Sequence, residues 1–328
     1  MNPVYIAADN IFSPLGISTD ENFERVKNGL TAVHVVADTT ISSQPFHASM
    51  FEEVFFDDDE WSRFEKICVS SIQEALSKTD VKLSDTDTLF ILSTTKGNVE
   101  LIEKNEMSEE LRNRVSLFNT AKSIATYFGS INKPLVVSNA CISGVLAVII
   151  AKRLLESGKY KHAVITGADV LSQFVISGFQ SLNAMSSKPC KPFDKNRDGI
   201  NLGECASTIV LSTERSLSNN VLVSGGASTN DANHISGPSR TGLELSHAVK
   251  SVMKESEVAA DDLSFISAHG TATVYNGSQS IFECISFKHS LAQPERKFRS
   301  YPWRSRGLRI HSDLSFFKGG SYTAKQKF

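Results

Sequence analysis

The sequence has no long hydrophobic run and almost no net charge. Of its 328 residues, 34 are Lys or Arg and 36 are Asp or Glu, which gives a formal net charge of −2. That balance gives no reason to expect a nucleic-acid partner. No apolar stretch reaches the roughly 18 residues that a membrane-spanning helix needs, so no membrane segment is predicted. A hydrophobic content of 41% excludes a disordered chain.

Cysteine is scarce and irregularly spaced. The five cysteines lie at positions 68, 141, 190, 205 and 284, with no C-x-x-C pair. A disulfide framework or a zinc site is therefore not expected. The eight histidines show no H-x-x-x-H spacing, so no metal site is predicted. The first residues lack the basic and apolar regions of a secretory signal, which favours a reducing cytoplasmic location.

Short apolar runs alternate with helical patterns along the chain. Strands are predicted at 4–7, 88–93, 135–138, 162–166, 206–211, 221–224 and 263–267, and helices at 19–28, 60–78, 111–128, 141–157 and 243–255. This alternation predicts an α/β fold in which helices cover both faces of a parallel sheet. Residues 186–203 have no periodicity and predict a long loop, which in a compact domain is usually functional or mobile.

The most informative stretch surrounds Cys141. The segment LVVSNACISGVLAVIIAKRLLESG predicts a strand to Ser138, a tight turn, and an apolar helix that begins at Cys141. The N–H groups at a helix N-terminus stabilise a thiolate, which makes Cys141 a candidate nucleophile. On spacing alone, an ordinary buried thiol remains the alternative. The other four cysteines are predicted to be structural or incidental.

His269 is the second candidate for chemistry. It follows a predicted strand within the small, polar segment SAHGTAT at 267–273. Such a setting suits a side chain that points into a cavity, although a lone His after a strand is more often structural. Cysteine with histidine is the pair that covalent acyl transfer requires.

Six motifs in one order resemble the β-ketoacyl-acyl carrier protein synthases, the condensing enzymes of the thiolase superfamily. They are SPLG at 13–16, NACISG at 139–144, GAD at 167–169, PFDKNRDG at 192–199 with GE at 203–204, DANH at 231–234 and AHGTAT at 268–273. Any one of them is a weak signal. Their shared order across residues 1–276 is specific.

The resemblance implies a thiolase-like layered αβαβα fold and an acyltransferase of fatty acid or polyketide biosynthesis. Cys141 would accept an acyl group from a carrier-protein thioester. His269 would be one of two histidines that stabilise the enolate formed when malonyl-carrier protein loses CO2. Phe193 would shape the acyl site, and Thr271 and Thr273 would contact substrate.

Further implications concern partners and structure. The family needs no metal and no organic cofactor. Its partner is the acyl carrier protein, in acyl and malonyl forms, and its members are homodimers. Within the PFDKNRDG loop and the GE that follows it, Asp198 and Glu204 would hold structure rather than take part in chemistry.

The sequence departs from the family after Asn276. The second histidine motif of the family, K-x-x-x-G-H-T-x-G-A-A-G, is absent, and residues 277–328 hold 10 Lys or Arg against 3 Asp or Glu. We therefore predict a first half at 1–215, the start of a second half at 216–276 and an aberrant basic tail at 277–328. The second half of the fold would be incomplete and condensing activity impaired.

Two other functions remain open at this point. The chain could be a non-catalytic synthase-like subunit, or an inactive product of a frameshifted gene. Chain-length-determining subunits that resemble these synthases usually lack the nucleophile, so the presence of Cys141 disfavours the first. A solvated or nucleic-acid-binding extension is the alternative reading of the basic tail.

We predict that the gene encodes the missing motif in a shifted reading frame. When the last two bases of each codon are joined to the first base of the next, the genetic code permits LKGSFGHTLGAAGVLE from Pro294 through Ile310. Sequencing codons 270–328 tests this. Codons that do not spell the motif in that frame would show that the tail is genuine.

Overall fold

The structure is a computed structural model that describes residues 2–52, 61–230, 242–267 and 269–273. It divides into two units. The first holds residues 2–223 and 271–273, and the second holds residues 224–230, 242–267 and 269–270. The DANH motif at 231–234, Ala268 and the predicted basic tail at 277–328 lie outside the described residues.

The described residues form nine strands and eight α-helices. The strands are β1 (Tyr5–Phe12), β2 (His34–Val36), β3 (Phe46–Ser49), β4 (Thr88–Ser93), β5 (Leu135–Val137), β6 (His162–Asp169), β7 (Leu202–Gly203), β8 (Cys205–Ser212) and β9 (Val221–Leu222). The helices are α1 (Thr19–Lys27), α2 (Arg63–Leu76), α3 (Glu100–Lys104), α4 (Glu109–Val115), α5 (Leu117–Tyr127), α6 (Ser143–Glu156), α7 (Gln173–Ser181) and α8 (Leu243–Glu255). Only α8 belongs to the second unit among these elements.

The main sheet of the first unit is mixed rather than parallel throughout. Its strand order is β5-β4-β6-β8-β1-β9, in which β5, β4 and β6 are parallel while β8 runs antiparallel to both β6 and β1. The predicted parallel arrangement is therefore right for three strands and wrong for the others. The reason lies in the connection, because Cys205 at the start of β8 pairs with Asp169 at the end of β6. A strand that begins beside the end of the preceding strand must run antiparallel to it.

Helices cover both faces of this sheet, as the sequence predicts. All six residues of β4 are buried, and successive side chains point to opposite faces. Phe90 and Leu92 pack into the cluster that contains α2 and α5, whereas Leu89 and Ile91 pack into the cluster that contains α6. Each fully buried Leu or Ile contributes roughly 1.5–3 kcal/mol, so this six-residue strand stabilises two layers at once.

Among the predicted elements, one helix is divided and one strand does not form. The helix predicted over 111–128 is divided into α4 and α5, because Ser116 adopts an extended conformation with ψ of 122°. The strand predicted over 263–267 does not form. A strand needs a neighbour to satisfy its backbone groups, and no described strand pairs with this segment. The strand β4 and the helix α8, by contrast, have the predicted bounds.

Smaller elements complete the two units. In the first, β2, β3 and β7 form a three-stranded sheet whose buried residues pack against α7. In the second, the Glu255 carboxylate near the end of α8 accepts a hydrogen bond from Gly226 N at 3.2 Å. No helix within the described ranges combines the length and apolarity that spanning a bilayer requires.

Glu100, the first residue of α3, is a buried acid. Its side chain accepts a hydrogen bond from Phe64 N in the first turn of α2 at 3.4 Å. The pKa of Glu100 is raised to about 7, chiefly by burial and also by the negative charge of Glu204, against the opposing effects of the Phe64 hydrogen bond, Lys104 and Arg63. Because the folded chain holds this proton more tightly, the stabilisation is complete below pH 4.5 and is lost as pH rises through about 7.

Replacing Glu100 by glutamine should remove this pH dependence. We expect the unfolding free energy of Glu100→Gln, relative to the unaltered chain, to rise by about 1–3 kcal/mol between pH 5 and pH 8. Urea unfolding at both values measures the change. The exposed Glu106→Gln serves as the control for loss of a charge, and equal shifts in the two variants would contradict the assignment.

Candidate active site

Cys141 lies in a short 3-10 turn between β5 and α6. The turn spans Ala140–Ile142, and α6 begins at Ser143 rather than at Cys141 as the sequence suggested. The Ser143 hydroxyl explains the shift, because it accepts a hydrogen bond from Asn139 N at 2.7 Å and donates one to Ala140 O at 2.8 Å. These two bonds fix the turn that presents Cys141 ahead of the helix.

The backbone immediately before the cysteine is strained. Ala140 has a φ of 44°, in the left-handed region. That conformation costs an L-residue roughly 1–2 kcal/mol. Strain of this kind persists only where the surroundings enforce it, and it is concentrated at functional sites. Here the Ser143 hydrogen bonds and the packing of α6 on the sheet enforce it.

Cys141 differs from the other cysteines that the structure describes. Its side chain is partly accessible, whereas Cys68, Cys190 and Cys205 are buried. Burial raises the pKa of Cys190, raises that of Cys68 well above its ordinary value, and raises that of Cys205 to about 12. Those three thiols are therefore held neutral. Cys284 lies outside the described residues.

The predicted long loop at 186–203 is internally braced. Asp198 Oδ1 accepts a hydrogen bond from Ser186 Oγ at 2.7 Å, and the Asn201 side chain joins Cys190 N to Lys188 O. Gly199 passes so close to the facing backbone that an added Cβ would lie 2.5 Å from Met185 C. The loop is thus held in one conformation by its own hydrogen bonds and close packing.

Glu204 anchors the end of this loop. Its carboxylate accepts hydrogen bonds from Arg63 Nε at 2.9 Å and Nη2 at 2.7 Å, and from the backbone N–H groups of Phe51 at 2.9 Å and Leu171 at 3.2 Å. The side chain is fully buried. These contacts give Glu204 the structural role that the sequence predicts.

The remaining candidate residues are distributed over both units. Phe193 has a left-handed φ of 63° and is 50% exposed. The hydroxyls of Thr271 and Thr273 lie 3.3 Å apart, and Thr273 O accepts a hydrogen bond from Arg197 Nε at 2.9 Å. The structure thus joins the threonine segment to the PFDKNRDG loop. Cys141 belongs to the first unit, and the exposed His269 belongs to the second.

One charged pair escaped the sequence reasoning. Lys96 Nζ lies 2.8 Å from Asp169 Oδ1, and each side chain is only 17% exposed. Asp169 is part of the GAD motif, but nothing in the sequence marks Lys96 as its partner. The available signal was a lone lysine among small residues directly after a fully buried strand. Within the described part of the chain, no group of His, Cys, Asp or Glu side chains could hold a metal ion.

These features define a class of protein. An accessible cysteine follows a parallel strand, stands in a strained turn and precedes a buried helix, while a braced loop and a threonine segment meet in the same unit. This arrangement agrees with the thiolase-like fold that the sequence motifs predict. Comparison with known proteins gives the family.

The family profiles cover most of the chain. The profile of the beta-ketoacyl synthase N-terminal domain matches residues 1–216, and that of the beta-ketoacyl synthase C-terminal domain matches residues 221–295. The chain therefore belongs to the β-ketoacyl synthase family. The resemblance seen in the six motifs is confirmed.

Two individual relatives support the family assignment. The tetracenomycin polyketide synthase ketoacyl synthase alpha subunit of Streptomyces glaucescens is 28% identical over 209 residues, which is 60% of this chain and 48% of that protein. The chain thus spans about half the length of that relative. The 3-oxoacyl-[acyl-carrier-protein] synthase 2 of Staphylococcus aureus is 22% identical over 82% of this chain and 73% of its own length.

A solved structure confirms the thiolase-like fold. The crystal structure of a beta-ketoacyl synthase from Burkholderia phymatum matches with a TM-score of 0.76 and 23% identity. The match covers 87% of this chain and 78% of that one. The mixed sheet, with helices on both faces, is the part of the fold described above.

We expect alkylation to distinguish the four described thiols. In the native chain at pH 8, iodoacetamide should modify Cys141 at least about tenfold faster than Cys68 or Cys205, because only the former is accessible and the latter are held neutral. Peptide mass mapping measures each rate. The urea-unfolded chain, in which all thiols react, is the control, and equal native rates would contradict the structure.

Proposed function

We propose that this chain is a β-ketoacyl synthase in which Cys141 is the nucleophile and in which condensation is impaired, because the second histidine motif of the family is absent from the sequence. The observation that carries the proposal is the setting of that thiol: accessible, in a strained turn at the carboxyl end of a parallel strand, while the three other described cysteines are buried. Ligands bind at such strand ends in open α/β sheets. The family membership supplies the reaction class.

The first step is acyl transfer. The Cys141 thiolate attacks the carbonyl carbon of an acyl thioester on the carrier protein, and a new C–S bond forms. The bond to the carrier sulfur breaks, and the carrier thiol leaves with a proton. The Cys141 backbone N–H supplies one hydrogen bond to the oxyanion, since donors placed where charge develops lower the barrier.

The second step joins two carbon units. The C–C bond to the malonyl carboxylate breaks, CO2 leaves, and the electron pair stays on the thioester as an enolate. His269 stabilises the enolate oxygen by hydrogen bonding. The enolate carbon then attacks the acyl-Cys141 carbonyl, the C–S bond breaks, and the released Cys141 thiolate takes a proton from solvent, since its own left with the carrier thiol in the first step. The product is a 3-oxoacyl thioester on the carrier.

The remaining roles follow from the family and the contacts. Phe193 shapes the acyl site, and Thr271 and Thr273 contact the substrate beside the braced loop, from which Arg197 donates a hydrogen bond to Thr273 O. The name of the Staphylococcus relative includes the acyl carrier protein, which supports a carrier protein as partner here. A homodimer in the cytoplasm, serving fatty acid or polyketide synthesis, completes the proposal.

Acylation of the full chain tests this function. We expect an octanoyl thioester of N-acetylcysteamine to give one adduct, seen by intact mass, that is lost in Cys141→Ser and kept in Cys284→Ser. His269→Ala should keep the adduct but release CO2 from a malonyl thioester about 100-fold more slowly. A folded sample that forms no adduct on Cys141 would overturn the proposal and favour a non-catalytic subunit.

A further inference from the structure

Cys141 and the Lys96–Asp169 pair follow the carboxyl ends of three neighbouring strands. The strands β5, β4 and β6 are adjacent and parallel, with Ser93 paired to both Val137 and Gly167. Cys141 follows β5, Lys96 follows β4, and Asp169 ends β6. Neighbouring strands lie about 4.8 Å apart, so the carboxyl ends of the three strands fall within about 10 Å of one another.

The pair lies on the same face of the sheet as the helix of Cys141. Strand alternation places Asp169 on the face of Ile165, and Ile165 packs in the cluster that contains α6. Cys141 stands in the turn that leads into α6. An acyl chain on Cys141 that follows these strand ends runs toward the ion pair.

The charge of the pair is enclosed at this edge. Lys96 and Asp169 are each 17% exposed. A second pair, Lys161–Asp87, precedes the same strands β6 and β4 at the opposite edge, where the side chains are 59% and 34% exposed. Covering an enclosed charge with a saturated chain removes its remaining hydration without replacement, which is costly. An oxygen on the chain would restore a hydrogen bond to Lys96.

We propose that the Lys96–Asp169 pair is a specificity determinant that favours acyl groups carrying a carbonyl or hydroxyl far from the thioester over saturated chains of equal length. The inference rests on the proposed function, because it needs an acyl group on Cys141. It narrows the substrate from acyl groups in general to oxygenated ones.

Competition between two thioesters of N-acetylcysteamine tests the inference on the full chain. Octanoyl and 7-oxooctanoyl groups have equal length and equal reactivity at the thioester. We expect Cys141 of the unaltered chain to load 7-oxooctanoyl about tenfold faster, measured by intact mass. Equal loading rates would overturn the inference while leaving the proposed function intact. No loading of either would overturn both.

Variants test whether the preference for the oxygenated thioester depends on the Lys96–Asp169 pair. The double change Lys96→Met with Asp169→Asn leaves no unpaired charge and should bring the ratio of the two rates to about one. The matched control Lys161→Met removes a lysine from the other end of the same strand pair and should keep the tenfold ratio. An unchanged ratio in a folded double variant would overturn the inference. If the double variant does not fold, the ratio in the unaltered chain still decides.

Discussion

The buried carboxylate of Glu204 holds together the segments that shape the carboxyl edge of the sheet. It receives two hydrogen bonds from Arg63 at the start of α2, one from Phe51 after β3 and one from Leu171 after β6. An unpaired carboxylate at this depth would cost several kcal/mol, so these donors together make the burial of Glu204 possible. The helix, the two segments and the start of β8 are thereby fixed in one arrangement.

The two ends of the parallel strands differ in solvent exposure and in backbone strain. The edge with Lys161 and Asp87 is open to water. The opposite edge holds the strained turn at Ala140, the accessible Cys141 and an enclosed ion pair. Strain and enclosed charge are both costly, and both occur at the carboxyl ends of the parallel strands, where open α/β sheets generally bind ligands.

Local sequence was sufficient wherever one element decides its own conformation. The uninterrupted apolar run TLFILS gave β4 with its bounds, and the amphipathic 243–255 gave α8. Local sequence failed to predict the structure where pairing with another segment decides the conformation. Residues 263–267 have the composition of a strand but no described neighbour to pair with, and β8 runs antiparallel because of where the loop at 186–203 returns.

The sequence by itself determined the family and indicated Cys141 as the candidate nucleophile, because six short motifs and a cysteine after a strand are local patterns that can be recognised without the fold. Only the tertiary structure decided which thiol is accessible, that Glu204 is enclosed by donors from three distant segments, and that Lys96 meets Asp169. Those facts depend on strand order and burial. Neither quantity is contained in any single stretch of residues, since both arise when segments far apart in the chain are packed together.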